Sequence, residues 1–122
     1  MPLHPRTKSY LESHNIRLEV KIIEPQGYFD MLSLLKHCKL VMTDSGGLQK
    51  EAYFFQKNCI TLRDQTEWVE LVRADVNTLT GADQTAILSA FRKLESQPFL
   101  STAELYGKGN AASLIAKKLQ SH

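Results

Sequence analysis

Short apolar runs alternate with amphipathic helical patterns along these 122 residues. That alternation predicts an α/β domain with a doubly wound parallel sheet. Two further observations agree. Each apolar run passes into a helical pattern rather than a tight hairpin, and parallel strands need such helical crossovers. The chain also carries no internal repeat and no low-complexity stretch that would point to another architecture.

The elements follow in order. Residues 18–23 read as a strand because Val20, Ile22 and Ile23 are β-branched. Glu24-Pro25-Gln26-Gly27 breaks that run, since proline and glycine punctuate turns. Tyr28, Met31, Leu32, Leu35 and Cys38 then recur at helical spacing, which marks the buried face of a helix. Leu40-Val41-Met42-Thr43 is the next strand, apolar enough to predict burial on both faces. Ser45-Gly46-Gly47 leads into a second helix with Leu48, Ala52 and Phe55 at helical spacing. Residues 58–62 form a third strand. A short helix carries Trp68, Val69, Leu71 and Val72, with Asp64 and Glu67 spaced like a capping box. Residues 76–79 are a last short strand. Gly81-Ala82-Asp83 announces a helix with Ile87, Phe91 and Leu94 on one face, and Pro98 closes that region. Tyr106-Gly107-Lys108-Gly109-Asn110 is a loop, and Ala112, Ile115 and Leu119 mark a terminal helix.

Composition sets several classes aside. Apolar residues are 43% and charged residues 23%, an ordinary globular balance rather than that of collagen, coiled coil or disorder. No run approaches the ~18 apolar residues of a membrane span, so no membrane partner is expected. Residues 1–9 are polar and basic with two prolines, unlike a secretion signal. A net charge of +2, from 15 basic and 13 acidic side chains, does not call for nucleic acid. Cys38 and Cys59 lie in no CxxC motif, which fits a reduced, cytoplasmic chain. His4, His14, His37 and His122 are scattered without metal-ligand spacing, so no metal is expected.

Ligands of open α/β sheets bind outside the carboxyl ends of the strands. That rule selects the loops after Glu24, Thr43 and Leu62. The middle loop, Thr43-Asp44-Ser45-Gly46-Gly47, carries the clearest chemistry. Ser45 is a natural N-cap. The first turn of a helix leaves N–H groups unpaired beside the positive end of the helix dipole. Two glycines let a phosphate approach that backbone. Glu51 follows one turn deeper on the same face, where a carboxylate can accept bonds from two sugar hydroxyls. Phosphate at the tip and ribose one turn down is the layout of a nucleoside diphosphate. The bland alternative stays open: a capped tight turn followed by a solvated glutamate.

The string from Thr43 to Ala52, TDSGGLQKEA, resembles the signature of the non-hydrolysing UDP-N-acetylglucosamine 2-epimerase family. Leu3-His4-Pro5-Arg6-Thr7, Glu24-Pro25 with Tyr28, Arg63-Asp64-Gln65-Thr66-Glu67-Trp68 and Tyr106-Gly107-Lys108-Gly109 resemble further segments of that family in the same order. The likeness runs over nearly the whole chain. It implies two Rossmann-like domains facing a cleft, the architecture called GT-B, with residues 1–122 as the C-terminal UDP-binding domain. The N-terminal catalytic half would then be missing, and the first strand of the C-terminal domain truncated.

The resemblance implies an isomerase that eliminates UDP from a UDP-sugar and adds it back with C2 inverted, in cell-surface polysaccharide biosynthesis. Ser45, Gly46 and Gly47 would hold the diphosphate and Glu51 the ribose. Pro25, Tyr28 and Met31 would shape the uracil pocket, and His4, Arg63 and Glu67 would face the cleft. No catalytic residue is assigned, and neither a metal nor NAD is expected as cofactor. Expected partners are a UDP-sugar and the missing N-terminal domain, with self-association into a homo-oligomer also open. Trp68-Val69 stands where some members carry Arg-Pro, whose Arg reaches the diphosphate. The Thr-Glu-Trp version resembles relatives acting on other UDP-sugars, including UDP-2,3-diacetamido uronic acids. The chain alone is expected to bind UDP weakly and to catalyse nothing. Two other readings remain: the donor-binding domain of a GT-B glycosyltransferase, and a non-catalytic nucleotide-binding or interaction module.

Overall fold

The structure is a computed structural model that describes residues 1–100 and 104–121; His122 lies outside the described residues. The chain divides into two compact units, Met1–His37 and Cys38–His122.

The first unit holds two helices. Helix α1 spans Pro5–Ser13, with His4 at its N-cap and proline at the first helical position. The His4 ring Nδ1 accepts from the Arg6 N–H at 3.2 Å. Sequence reasoning read this stretch only as polar and basic. The helix escaped notice because it buries no residue, so it has no apolar stripe to betray it. Its end is a hydrogen-bonded αL turn. Asn15 takes φ 53°, and the Ile16 N–H reaches back to the Leu11 carbonyl at 2.9 Å.

The strand expected over residues 18–23 is reduced to one parallel bridge, Pro2 to Ile23. A strand persists only along its partner's ladder. Here the hydrogen bonds run from the Leu3 N–H to the Ile23 carbonyl and from the Ile23 N–H to the Met1 carbonyl, and the chain turns into α1 at Pro5. Val20 and Ile22 are accordingly exposed. Helix α2, Tyr28–His37, forms where the spacing placed it, with Leu35 buried. Tyr28 is not part of its buried face: it is 63% exposed and meets Phe29 edge-on at 5.7 Å.

The second unit is the α/β layer structure. Strands β1 (Leu40–Thr43), β2 (Asn58–Thr61) and β3 (Asn77–Leu79) form a parallel sheet in the order β1-β2-β3. Helix α3 (Gly46–Phe54) crosses from β1 to β2, and α4 (Val69–Arg73) from β2 to β3. Every residue of β2 is buried, as a central strand covered on both faces should be. Ile60 packs with Ala90 and Leu94 of α5 (Gln84–Leu94). Thr61, pointing the other way, bonds into a polar cluster reaching α3. The helices therefore lie on both faces of the sheet.

Three expectations about burial and capping need correction. Strand β1 is not buried on both faces; Met42 is 43% exposed, because an outer strand lacks β2's second neighbour. Asp64 and Glu67 form no capping box. The N-cap of α4 is Trp68, whose N–H is taken by the Thr66 hydroxyl at 3.1 Å. Helix α6 (Ala111–Gln120) is present, but Leu114, Ile115 and Leu119 on its apolar stripe are exposed. The expected start of α5 holds: Asp83 Oδ1 accepts from the Ala86 N–H at 2.6 Å. Its packed face is rotated, since Ala90 is buried while Phe91 is 39% exposed.

Candidate functional site

Residues 43–47 leave the carboxyl end of β1 and open α3. The Thr43 hydroxyl accepts from the Ser45 N–H at 3.0 Å, so the turn is fixed by the last strand residue. Ser45 occupies the N-cap position, yet its side chain makes no capping bond. The N–H groups of the first turn are thus not taken up by the serine, contrary to the capping role expected of it.

Gly46 and Gly47 are the first two helical residues. Apart from its chain neighbours and the backbone of its own helix, nothing lies within 4 Å of the point a Cβ on Gly47 would occupy. Gly46 differs: a Cβ there would collide with the Glu67 carboxylate, and Arg63 Nη1 is 3.7 Å away. Arg63 and Glu67 pair at 3.2 Å. The loop after β2 therefore places a carboxylate and a guanidinium over the helix tip. The two loops run together because the Leu62 N–H donates to the Thr43 carbonyl at 2.9 Å. Glu51 lies further along α3 and is half-buried.

Below the tip is a polar network that sequence reasoning missed. Gln49 is 1% exposed. Its Oε1 accepts from the Thr66 hydroxyl at 2.7 Å and from Asn77 Nδ2 at 2.9 Å, and its Nε2 donates to the Ser45 carbonyl at 3.2 Å. Asn77 Oδ1 in turn accepts from the Thr61 hydroxyl at 2.7 Å. Polar residues inside otherwise apolar strands, Thr61 and Asn77, were the available signal, since such groups need partners when buried.

Trp68 flanks the tip. Its indole Nε1 donates to the Gly46 carbonyl at 2.8 Å. The Lys50 ammonium lies 4.6 Å from the Trp68 ring centroid and 4.3 Å from that of Tyr106, within cation–π range. Tyr106 also meets Tyr53, Phe54 and Trp68. Its hydroxyl is out of solvent; burial first, then the Glu70 carboxylate beside it, push its pKa upward. Lys108, the other residue weighed in this loop, pairs with Glu104 at 3.0 Å in an exposed setting.

The remaining predicted positions belong to the first unit. Pro25 is exposed, Tyr28 is exposed and Met31 is half-buried, gathered at the N-terminal end of α2. His4 is engaged as the cap of α1. Thus Ser45, Gly46, Gly47, Arg63 and Glu67 come together around one helix tip and Glu51 follows on the same helix, while His4, Pro25, Tyr28 and Met31 belong to the first unit. Chemically, the tip offers backbone donors and the dipole's positive end to an anion, with Arg63 beside it.

Residues 1–120 match the protein family described as UDP-N-acetylglucosamine 2-epimerase. The chain belongs to that family. Among its relatives is the UDP-2,3-diacetamido-2,3-dideoxy-D-glucuronate 2-epimerase of Pseudomonas aeruginosa, 49% identical over 119 residues, covering 98% of this chain and 34% of that protein. A UDP-N-acetylglucosamine 2-epimerase homolog of Methanococcus maripaludis is 40% identical over 129 residues, covering 98% of this chain and 35% of that protein. The crystal structure of the Methanocaldococcus jannaschii UDP-GlcNAc 2-epimerase in complex with UDP-GlcNAc and UDP superposes with a TM-score of 0.85 at 35% identity, over 99% of this chain and 35% of that one. This epimerase-family chain thus spans about a third of the length of the relatives it matches.

Proposed function

We propose that this chain is the C-terminal, UDP-binding part of a UDP-sugar 2-epimerase. In this reading the first-turn N–H groups of α3 at Gly46 and Gly47, with the Ser45 hydroxyl, receive the diphosphate. Glu51 holds the ribose hydroxyls, and the Arg63–Glu67 pair faces the sugar side. For Pro25, Tyr28 and Met31 at the base, and for His4, the support is the family resemblance. The observation that carries it is the unobstructed face of Gly47 at a helix tip, in a chain whose fold matches an epimerase crystallised with UDP-GlcNAc and UDP.

The reaction is an elimination followed by re-addition. A base takes the C2 proton, the C1–O bond breaks, and its electron pair leaves on the β-phosphate oxygen of UDP, giving a glycal. Addition of UDP with protonation of the opposite face returns the inverted sugar. The charge appearing on the diphosphate is what the helix tip is built to stabilise, and one preorganised donor at such a place is worth ~3 kcal/mol. We assign the proton-transfer base to the part of the parent protein outside this chain. Neither step is a net oxidation, so no redox cofactor is invoked. We take the sugar to be a UDP-HexNAc or a related uronic acid, on the strength of the Pseudomonas relative and of Trp68. The proposed compartment is the cytoplasm, where thiols such as Cys38 and Cys59 stay reduced.

The test is NMR titration of the ¹⁵N-labelled chain with UDP, UMP and uridine. UDP is expected to move the amide signals of residues 45–47 and uridine to leave them in place. An equal response to uridine would overturn the reading. For the parent protein, the corresponding readout is exchange of the C2 proton of UDP-GlcNAc with solvent deuterium.

A further inference from the structure

We propose that Trp68 is a positioning residue for the diphosphate seat: its indole N–H pins the Gly46 carbonyl, and through it the Gly47 N–H that faces the anion. The inference rests on the reading of the α3 tip given above and adds to it the residue that holds the tip in shape.

The argument starts from the peptide plane. The Gly46 carbonyl and the Gly47 N–H belong to one rigid trans unit, so they point in opposite directions. Whatever grips the carbonyl aims the N–H. Two adjacent glycines at a helix start are the least constrained backbone a helix can have, each about 1 kcal/mol less helical than alanine. The N-cap side chain does not help, because Ser45 makes no capping bond. Trp68 supplies the constraint from outside, at 2.8 Å on the Gly46 carbonyl. A donor on the carbonyl also polarises the same amide, which makes its N–H a stronger donor.

Trp68 is itself held on three sides. Its backbone N–H is bound by the Thr66 hydroxyl. Its ring meets Tyr106 at 6.2 Å, nearly perpendicular. Lys50, one helical turn beyond Gly46, caps both rings. The tryptophan, which carries no charge, acts on the tip through the backbone.

Trp68→Phe keeps an aromatic ring and deletes the donor. Three quantities are read on wild type and variant: UDP affinity, uridine affinity, and hydrogen exchange of the Gly47 amide. The expected result is a loss of UDP affinity of about 5- to 10-fold, the worth of one hydrogen bond, with uridine binding unchanged and Gly47 exchange accelerated. Unchanged UDP affinity together with unchanged Gly47 exchange overturns the proposal. If wild type binds UDP no better than uridine, the seat reading fails instead, and Gly47 exchange alone decides the part played by Trp68. Should Trp68→Phe unfold, replacement of Trp68 by 3-benzothienylalanine removes the N–H at constant ring shape and is judged by the same outcomes.

Discussion

Gln49→Met replaces a buried amide by a side chain of similar length that cannot hydrogen-bond. The native amide makes three bonds, to Thr66, Asn77 and Ser45. After substitution the Asn77 Nδ2 donor is stranded, and Asn77 is 2% exposed. A stranded buried donor costs about 1–3 kcal/mol. Thr66 is half-buried and can turn its hydroxyl to water, so its loss counts for less. The expected destabilisation is about 2–4 kcal/mol, a large part of the total for a small domain. Urea denaturation measures it, followed by circular dichroism and by fluorescence of Trp68, the single tryptophan of the chain. Adding Asn77→Leu removes the stranded donor, so the double variant should recover about 1 kcal/mol or more relative to additivity. A loss below about 0.5 kcal/mol for Gln49→Met, with no coupling to Asn77, would refute the claim that this network fixes the loop.

Two further predictions separate stability from binding. Gly47→Ala places a methyl in open space at a helical position where alanine is preferred, so stability should rise by about 0.5–1 kcal/mol. The same methyl stands where the diphosphate would lie, so UDP binding should fall; a variant that is both less stable and equally good at binding contradicts the geometry. Cys59 supplies a pH effect. Burial pushes its thiol from 9.0 up to about 11, partly offset by the Thr61 hydroxyl. The unfolded chain then loses that proton first. Stability present below about pH 9 should therefore decline toward pH 11, by up to about 3 kcal/mol. Melting curves across that window should fall less steeply for Cys59→Ala than for wild type.

The helices and strands of the second unit were legible because their sequences carry apolar stripes of the right period. Leu40–Thr43 was read to the residue and β2 to within one, and α5 and α6 contain the residues that marked them. The failures share a cause: local pattern does not say what lies opposite. Residues 18–23 have strand composition but form one bridge, Pro2 to Ile23. Helix α6 has a stripe that stays exposed. Helix α1 has no stripe and was missed. At the site, the glycines and Glu51 stood out as local chemistry. Gln49 did not, since its partners Thr66 and Asn77 lie 17 and 28 residues away. Nor could spacing reveal that the Glu67 carboxylate lies over Gly46.

What distinguishes the α3 tip is the kind of force that holds it. The core around Ile60, Ala90 and Leu94 is apolar and non-directional. It sets how far the helices stand from the sheet but leaves the rotation of a peptide plane free. An anion seat needs that rotation fixed, and hydrogen bonds are the directional interaction available. The structure routes them through one hydroxyl. Thr66 Oγ1 accepts from the Trp68 N–H and donates to Gln49 Oε1. Gln49 holds the Ser45 carbonyl from below, and Trp68 holds the Gly46 carbonyl from the side. Two consecutive carbonyls at the start of α3 are thus gripped by side chains that share one threonine. Glycines can therefore occupy the tip without leaving it loose: the rigidity that their missing side chains cannot supply comes from the loop after β2. That loop also carries Arg63 and Glu67, so the side chains of Thr66 and Trp68 that brace the tip and the charges beside it come from one segment.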